Sequence, residues 1–369
     1  MTITESKAAR DARHSEPPRT FGRLLDDVRI RLDVALPQWL APRIDAADAV
    51  SEEVGAAASA VRDLTLRGGK RLRAALVAVG YATATEGNDE QGLRDCESAM
   101  LAVELLQTYL LIHDDWMDGD AVRRGGPAVH VILRERLGSS QAGDSAAVLA
   151  GDLAAAYAQE ALLESPLCAD HVLRAARAFA QTQNDVVRGQ LSELRAAVRT
   201  GPMPSVETTH ALKTASYTVT GPLVLGATLA GGDPSLTSAL ERFGRPLGIA
   251  FQLRDDILGT FGDPVATGKP VWNDIRQGKR TALIAELEQD PAARGRLARV
   301  FGSYDADDVD VEALVSFMKE SGAVARVEAR AQACAEEARR VLEELTPRIS
   351  PLARSWFDGA TMALVERRA

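Results

Sequence analysis

Cysteine is nearly absent from this chain of 369 residues. The three present, Cys96, Cys168 and Cys334, are an odd number without metal-ligand spacing, which excludes a disulfide scaffold or a cysteine-built zinc site. They are expected to be small buried hydrophobes in a protein of the reduced cytoplasm. Positive charge is also in deficit: a net charge of -9 excludes general nucleic-acid binding, which needs a basic face. No apolar run reaches the roughly 18 uninterrupted residues of a membrane span. The first twenty residues mix Lys7, Arg10, Arg13 and Arg19 with Glu5, Asp11 and Glu16 and lack the apolar stretch of a secretory leader. Residues 1–19 are expected to be a disordered tail ahead of one domain, residues 20–369.

Strict apolar alternation is scarce as well, which argues against sheets. Alanine and leucine recur instead at helical spacing in Phe21–Leu40, Ala47–Leu66, Arg73–Thr83, Glu97–His113, Asp144–Leu163, His171–Ala197, Ser205–Leu229, Ser235–Leu258, Lys279–Gln289, Val309–Ser321 and Ala323–Leu345. Turn residues such as Gly125-Gly126-Pro127, Gly201-Pro202 and Gly231-Gly232-Asp233-Pro234 punctuate the series. The prediction is an all-α bundle without a long interdomain linker.

Against that background two acidic segments stand out, His113-Asp114-Asp115-Trp116-Met117-Asp118 and Gln252-Leu253-Arg254-Asp255-Asp256-Ile257-Leu258-Gly259. Carboxylates are costly to bury, so acid set in core-like sequence implies strong positive charge between the two clusters. Asp114 and Asp118, four apart, share one helix face about 6 Å apart along the axis. Only oxygen donors are offered, which favours magnesium over zinc or iron. Magnesium usually shares its shell with phosphate, so the implied ligand is a phosphorylated substrate. Basic residues agree: Lys70 and Arg73, three apart at a glycine-marked helix start, could face one anion, and Arg123-Arg124 and Gly278-Lys279-Arg280 follow the acidic segments.

Taken in order, Gly68-Gly69-Lys70-Arg71-Leu72-Arg73, the DDxxD run Asp114 to Asp118 with Arg123-Arg124, Lys213-Thr214, Phe251 to Asp256, Gly262-Asp263-Pro264 and Gly268-Lys269 make the chain resemble the trans-prenyltransferases of the polyprenyl diphosphate synthase family. The resemblance implies helices around a deep central cavity, a homodimer, and head-to-tail condensation of isopentenyl diphosphate with an allylic diphosphate. It assigns three magnesium ions to Asp114, Asp118 and Asp255, with Asp115 and Asp256 in support. The allylic diphosphate would be held by Arg123, Lys213, Lys269 and Lys279. Thr214 and Gln252 would face the developing cation. Isopentenyl diphosphate would bind Lys70, Arg73, Gln107 and Arg124. One departure is Gly259, where the second motif commonly ends in aspartate. Tyr109, roughly 7.5 Å along the helix before Asp114, would floor the pocket for the growing tail, with Leu110 beside it. An aromatic there, without an insertion in the first motif, implies the twenty-carbon product, geranylgeranyl diphosphate; farnesyl diphosphate is the alternative.

Other candidates carry blander roles. His113 is expected to be a structural neighbour of the metal site, Trp116 a packing residue and Gly151 a helix-packing glycine. Arg188-Gly189-Gln190 could border the allylic pocket. A class I terpene cyclase needs Asn-Asp followed by Ser or Thr and then Glu, but Asn184-Asp185 is followed by Arg188 and Ser192. A helical di-iron protein needs two Glu-x-x-His pairs, and only Glu207 to His210 fits. A non-catalytic subunit of a heteromeric synthase would often lack the acidic motifs that this chain keeps.

Overall fold

The computed structural model describes residues 20–85, 90–198, 204–262 and 272–365. The described helices are α1 (Phe21–Asp48), α2 (Glu52–Leu66), α3 (Leu72–Thr83), α4 (Glu90–Asp95), α5 (Glu97–Asp118), α6 (Val129–Leu137), α7 (Ser140–Leu163), α8 (Ala169–Val198), α9 (Val206–His210), α10 (Gly221–Leu229), α11 (Pro234–Phe261), α12 (Asn273–Arg276), α13 (Ala282–Glu288), α14 (Arg294–Val300), α15 (Asp308–Glu320), α16 (Ala323–Leu345) and α17 (Pro351–Val365). A ten-residue π-helical stretch, Ala211–Thr220, joins α9 to α10. Among the described residues the strands are β1 (Val122–Arg123) and β2 (Gly126–Pro127), an antiparallel pair just after α5. The all-α expectation is met.

Short polar side chains set many helix starts. Ser51, Ser139, Ser205, Asp233 and Thr281 each accept a bond from a backbone N–H in the first turn. The first helix runs past the expected end at Leu40, through Pro37 and Pro42, because its buried stripe of Leu24, Val28, Leu32, Leu36, Leu40, Ile44 and Ala47 keeps helical spacing to Asp48. Helix α17 lies beyond the last helix expected from the sequence. It buries Trp356 and Phe357, and the Phe357 ring meets Phe243 edge-on at 4.9 Å.

The main core gathers α1, α3, α5, α7, α10, α11 and α17, while a second cluster packs α13 to α16 against the end of α11. Helix α7 is long and apolar enough to cross a membrane by composition, and 44% of its most apolar window is buried within the protein. Cys96 is buried as expected, but Cys168 is exposed and Cys334 half-buried, so the uniform expectation for the cysteines fails at Cys168. Residues 1–19, expected to be a tail, lie outside the described residues.

Candidate active site

The start of α3, the end of α5, the β1 strand, α8, α9, the π-helical stretch and the end of α11 converge on one cavity of about 470 Å³, with α12 and the Lys279–Thr281 turn closing it. Its walls include Arg73, Gln107, Asp114, Arg123, Lys213, Thr214, Gln252, Asp255, Asp256 and Lys279, ten of the residues singled out from the sequence. Helix α5 ends at Asp118 because Gly119 takes the left-handed conformation. Asp114 and Asp118 therefore sit near the end of α5, facing the lysines.

Lys213 Nζ is 3.3 Å from Asp114 and also pairs with Glu193; Lys279 Nζ is 2.5 Å from Asp118 and 3.9 Å from Asp274. Burial works against the charge on Asp114, but Lys213, Lys279 and Arg123 outweigh it and hold this carboxyl below the ordinary range. Asp118 goes the other way, raised by burial and by the neighbouring Asp114 charge. Both lysines are held firmly protonated: burial opposes their charge, and the surrounding carboxylates more than compensate. The site is a balanced cluster of acid and base.

The second acid of each motif does a different job. Asp115 is fully buried and is gripped by Arg123, whose Nε donates at 2.6 Å; Arg123 also reaches Asp120 at 3.4 Å. Asp256 accepts from the Ala282 N–H at 2.8 Å and from Gln252 Nε2 at 2.9 Å, and its carboxyl is pushed up to about 7 by burial. The Thr214 hydroxyl in turn donates to Gln252 Oε1 at 2.7 Å. These bonds tie the π-helical stretch, α11 and α13 into one frame. A π-helix re-aims side chains relative to an α-helix, and such stretches are frequent at functional sites. The backbone of the stretch is approached closely by Gly189 of α8, where a Cβ would stand 2.3 Å from the Lys213 nitrogen.

At one end of the cavity the positive charge is in excess. Arg124 feels burial first, then Glu104 against Arg71, Arg73 and Arg123, with the net result that its pKa is lowered. Arg73 donates to Thr218 at 2.9 Å and stacks on Tyr217 at 4.4 Å, while Arg71 is committed to Glu104 at 2.6 Å. Lys70 is exposed just before α3, and Arg71, in the left-handed region, separates it from the helix that carries Arg73. The buried Gln107 Oε1 has no hydrogen-bond partner among the described residues.

A second cavity of about 240 Å³ shares Gln107, Asp114, Lys213 and Tyr217 with the first and is otherwise mostly apolar, lined by Tyr109, Leu110, Leu111, Met117, Val186, Val187, Leu191 and Leu194. Tyr109 and Leu110 are thus together in the wall. Tyr109 meets His113 edge-on at 4.9 Å; His113 Nε2 lies 2.9 Å from the Val148 carbonyl, and a Cβ on Gly151 would stand 2.1 Å from that ring. The packing role expected for Gly151 is explained. Trp116, expected to pack, is 38% exposed instead.

Sequence reasoning did not single out Glu193, Tyr217, Asp274 or the apolar face of α8, and it met His210 only in the Glu-x-x-His pair set aside as a di-iron motif. Val187, Leu191 and Leu194, at i, i+4 and i+7, were the available signal for that face. Gly259 stands beside Asp274, whose Oδ2 is 3.3 Å from where a Cβ at 259 would lie, so a carboxylate from α12 occupies the neighbourhood of the missing aspartate. Lys269 lies outside the described residues. No three His, Cys, Asp or Glu side chains among the described residues converge at metal-ligating distance. The oxygen-only donor set fits a hard cation that takes its remaining ligands from water and phosphate.

A charged cavity continuous with an apolar one, enclosed by helices, defines an enzyme for an amphipathic diphosphate. The family model for polyprenyl synthetases matches residues 56–318. The chain is similar to the geranylfarnesyl diphosphate synthase of Aeropyrum pernix, 33% identical over 291 residues that cover 75% of this chain and 84% of the relative. It is similar also to the geranylgeranyl diphosphate synthase of Mycobacterium tuberculosis, 36% identical over 276 residues, 73% and 72% of the two chains. Among solved structures, the geranylgeranyl pyrophosphate synthase of Corynebacterium glutamicum, complexed with isoprenyl diphosphate and magnesium, superposes with a TM-score of 0.83 at 32% identity, over 94% of this chain and 99% of that one. This chain therefore belongs to the polyprenyl synthetase family and is a prenyltransferase, of a kind that works with a divalent metal.

Proposed function

We propose that the chain condenses isopentenyl diphosphate head-to-tail with allylic diphosphates and releases geranylgeranyl diphosphate. The observation that carries this reading is the continuity of the two cavities through Gln107, Asp114, Lys213 and Tyr217, which lets one molecule keep its diphosphate among charges and its hydrocarbon among leucines and valines. Asp114, Asp118 and Asp255 would hold magnesium, three ions by family resemblance, and magnesium would supply charge stabilisation to the departing diphosphate. Lys213, Lys279 and Arg123 hold the same diphosphate from the protein side, with Lys269 completing the set by resemblance.

Arg73, Arg124, Lys70 and Gln107 bind isopentenyl diphosphate at the guanidinium-rich end. Ionisation leaves an allylic cation that, by family resemblance, the Thr214 hydroxyl and the Gln252 amide would face, the amide being held in orientation by Asp256. The double bond of isopentenyl diphosphate attacks that carbon, and the proton lost in restoring the alkene goes to the departed diphosphate. The grown tail then extends along Tyr109 and Leu110. The reading covers residues 20–369 as one catalytic unit and a homodimer in the cytoplasm. Exposed Leu149 on α7 and Leu173 on α8 support coverage by a second copy, and the free thiols support a reduced compartment.

The test is to incubate the protein with magnesium, labelled isopentenyl diphosphate and each allylic primer, then identify the dephosphorylated products. A linear twenty-carbon alcohol is expected. Cyclic hydrocarbon from a preformed prenyl diphosphate would overturn the elongation reading, and no product with any primer would point to a non-catalytic subunit.

A further inference from the structure

Among the described residues three that are not glycine have positive φ, and two of them, Arg71 (φ 49°) and Arg124 (φ 51°), belong to the turn and the hairpin at the guanidinium-rich end of the site. A side chain keeps such a backbone only where its surroundings over-determine it. For Arg71 the constraint is its own guanidinium, which is buried and donates to Glu104 of α5 at 2.6 Å and to the Thr65 carbonyl of α2 at 3.2 Å, with Asp33 of α1 4.0 Å away. Glu104 is buried as well, and neither residue lines the charged cavity. Their neighbours do: Arg73 follows Arg71 by two residues at the start of α3, Gln107 follows Glu104 by three on α5, and both stand in the cavity wall. The turn is also docked on the hairpin. Arg67 donates to the Arg123 and Pro127 carbonyls at 3.1 and 2.7 Å, and a Cβ on Gly69 would stand 3.4 Å from Arg124 Nη2.

We infer that Arg71 and Glu104 are a positioning pair for the isopentenyl diphosphate subsite, fixing the turn that carries Lys70 and Arg73 against Arg124 and Gln107 without touching the substrate. The inference rests on the proposed elongation function and deepens it, naming what holds one of its two diphosphate sites in shape. The allylic site does not run through this pair, since Lys213, Lys279 and Arg123 are set by their own carboxylates. A buried charge that loses its partner is destabilising, whereas an ion pair replaced on both sides by apolar chains is often tolerated. Such a replacement keeps the packing but removes the anchor. Residue 71 is then free to leave the left-handed region, and the turn moves with it.

The experiment compares wild type, the double variant Arg71→Met with Glu104→Met, and Glu104→Gln. Circular dichroism checks the fold, calorimetry measures isopentenyl diphosphate affinity, and steady-state kinetics give KM for each substrate and kcat. The double variant is expected to weaken isopentenyl diphosphate binding roughly tenfold, the scale of one misplaced hydrogen bond to a charged group, and to raise its KM in step. KM for the allylic primer and kcat at saturation are expected to stay as in wild type. Glu104→Gln, which keeps an acceptor for Arg71, is expected to move the same constants less and stands in if the double variant does not fold. Wild-type affinity for isopentenyl diphosphate in a folded variant would overturn the inference, and so would an equal loss for both substrates, which is what a merely structural pair would give. A wild-type protein that binds isopentenyl diphosphate but condenses nothing would sink the elongation reading instead and leave calorimetry to decide the pair.

Discussion

The charged cavity and the apolar cavity share a wall yet are built on opposite principles. In the first, three of the cations are each held by opposite charges: Lys213 by Asp114 and Glu193, Lys279 by Asp118 and Asp274, Arg123 by Asp115 and Asp120. In the second, the lining is aliphatic and part of it, Leu191 and Leu194, is open to solvent. Preorganised charge acts on a reacting centre, where small misplacements are expensive. An apolar sleeve needs only volume. Head-end substitutions should therefore change rate, and tail-end substitutions should change which product is made.

The largest expected effect is at the head. Asp114→Ala removes the acid that faces Lys213, and kcat should fall on the order of a thousandfold, the scale of lost metal-assisted charge stabilisation. Thermal unfolding should shift little, because Lys213 retains Glu193. Near-normal kcat would remove Asp114 from the reaction. Next comes the seam. Gly189→Ala places a methyl against the Lys213 backbone and should destabilise the protein by about 1–3 kcal/mol, the usual cost of overpacking. It should lower kcat while leaving product length alone; a longer product would mean that α8 transmits strain to the tail cavity. At the tail, Tyr109→Ala should lengthen the product at unchanged KM for isopentenyl diphosphate, as product chromatography would reveal. An unchanged spectrum would return Tyr109 to a packing role.

The two cavities also differ in how much of them could be read in advance. The head was legible because charge in apolar sequence has few innocent explanations: Asp114, Asp255, Lys213, Lys279 and Gln252 all reach one cavity. Asp274 was not legible, since its relevance comes from proximity to Gly259 in space and nothing in its own surroundings marks it. At the tail the α5 wall, Tyr109 and Leu110, was legible because spacing along one helix is periodic, and of α8 only Gln190, expected at the border of the pocket, lies in its lining as read. Val186, Val187 and Leu191 belong to another helix, and which face of α8 meets α5 is fixed by tertiary packing. The helical architecture itself followed from periodicity. The end at Leu40 did not, since the buried stripe continues through Ile44 to Ala47 and the helix runs on to Asp48.

The smallest effect concerns a pair buried behind the head cavity. His210 Nε2 lies 3.4 Å from Asp256, and burial presses both towards neutrality, His210 down to about 4 and Asp256 up to about 7. Unfolded, the two would titrate near the ordinary values of about 6.5 and 3.9. The raised Asp256 contributes stability that is present below pH ~4 and lost as pH rises to about 7. The depressed His210 contributes stability that is present above pH ~6.5 and lost as pH falls to about 4. Over that window the native pair holds one proton on Asp256 and the unfolded pair one on His210, so the two slopes cancel. Asp256→Asn should unmask His210, making stability fall relative to wild type as pH is lowered from about 6.5 to 4. His210→Gln should tilt the curve the other way, with stability falling as pH rises. Denaturant unfolding at several pH values measures both, and parallel curves for wild type and the two variants would mean that the pair does not exchange its proton on unfolding.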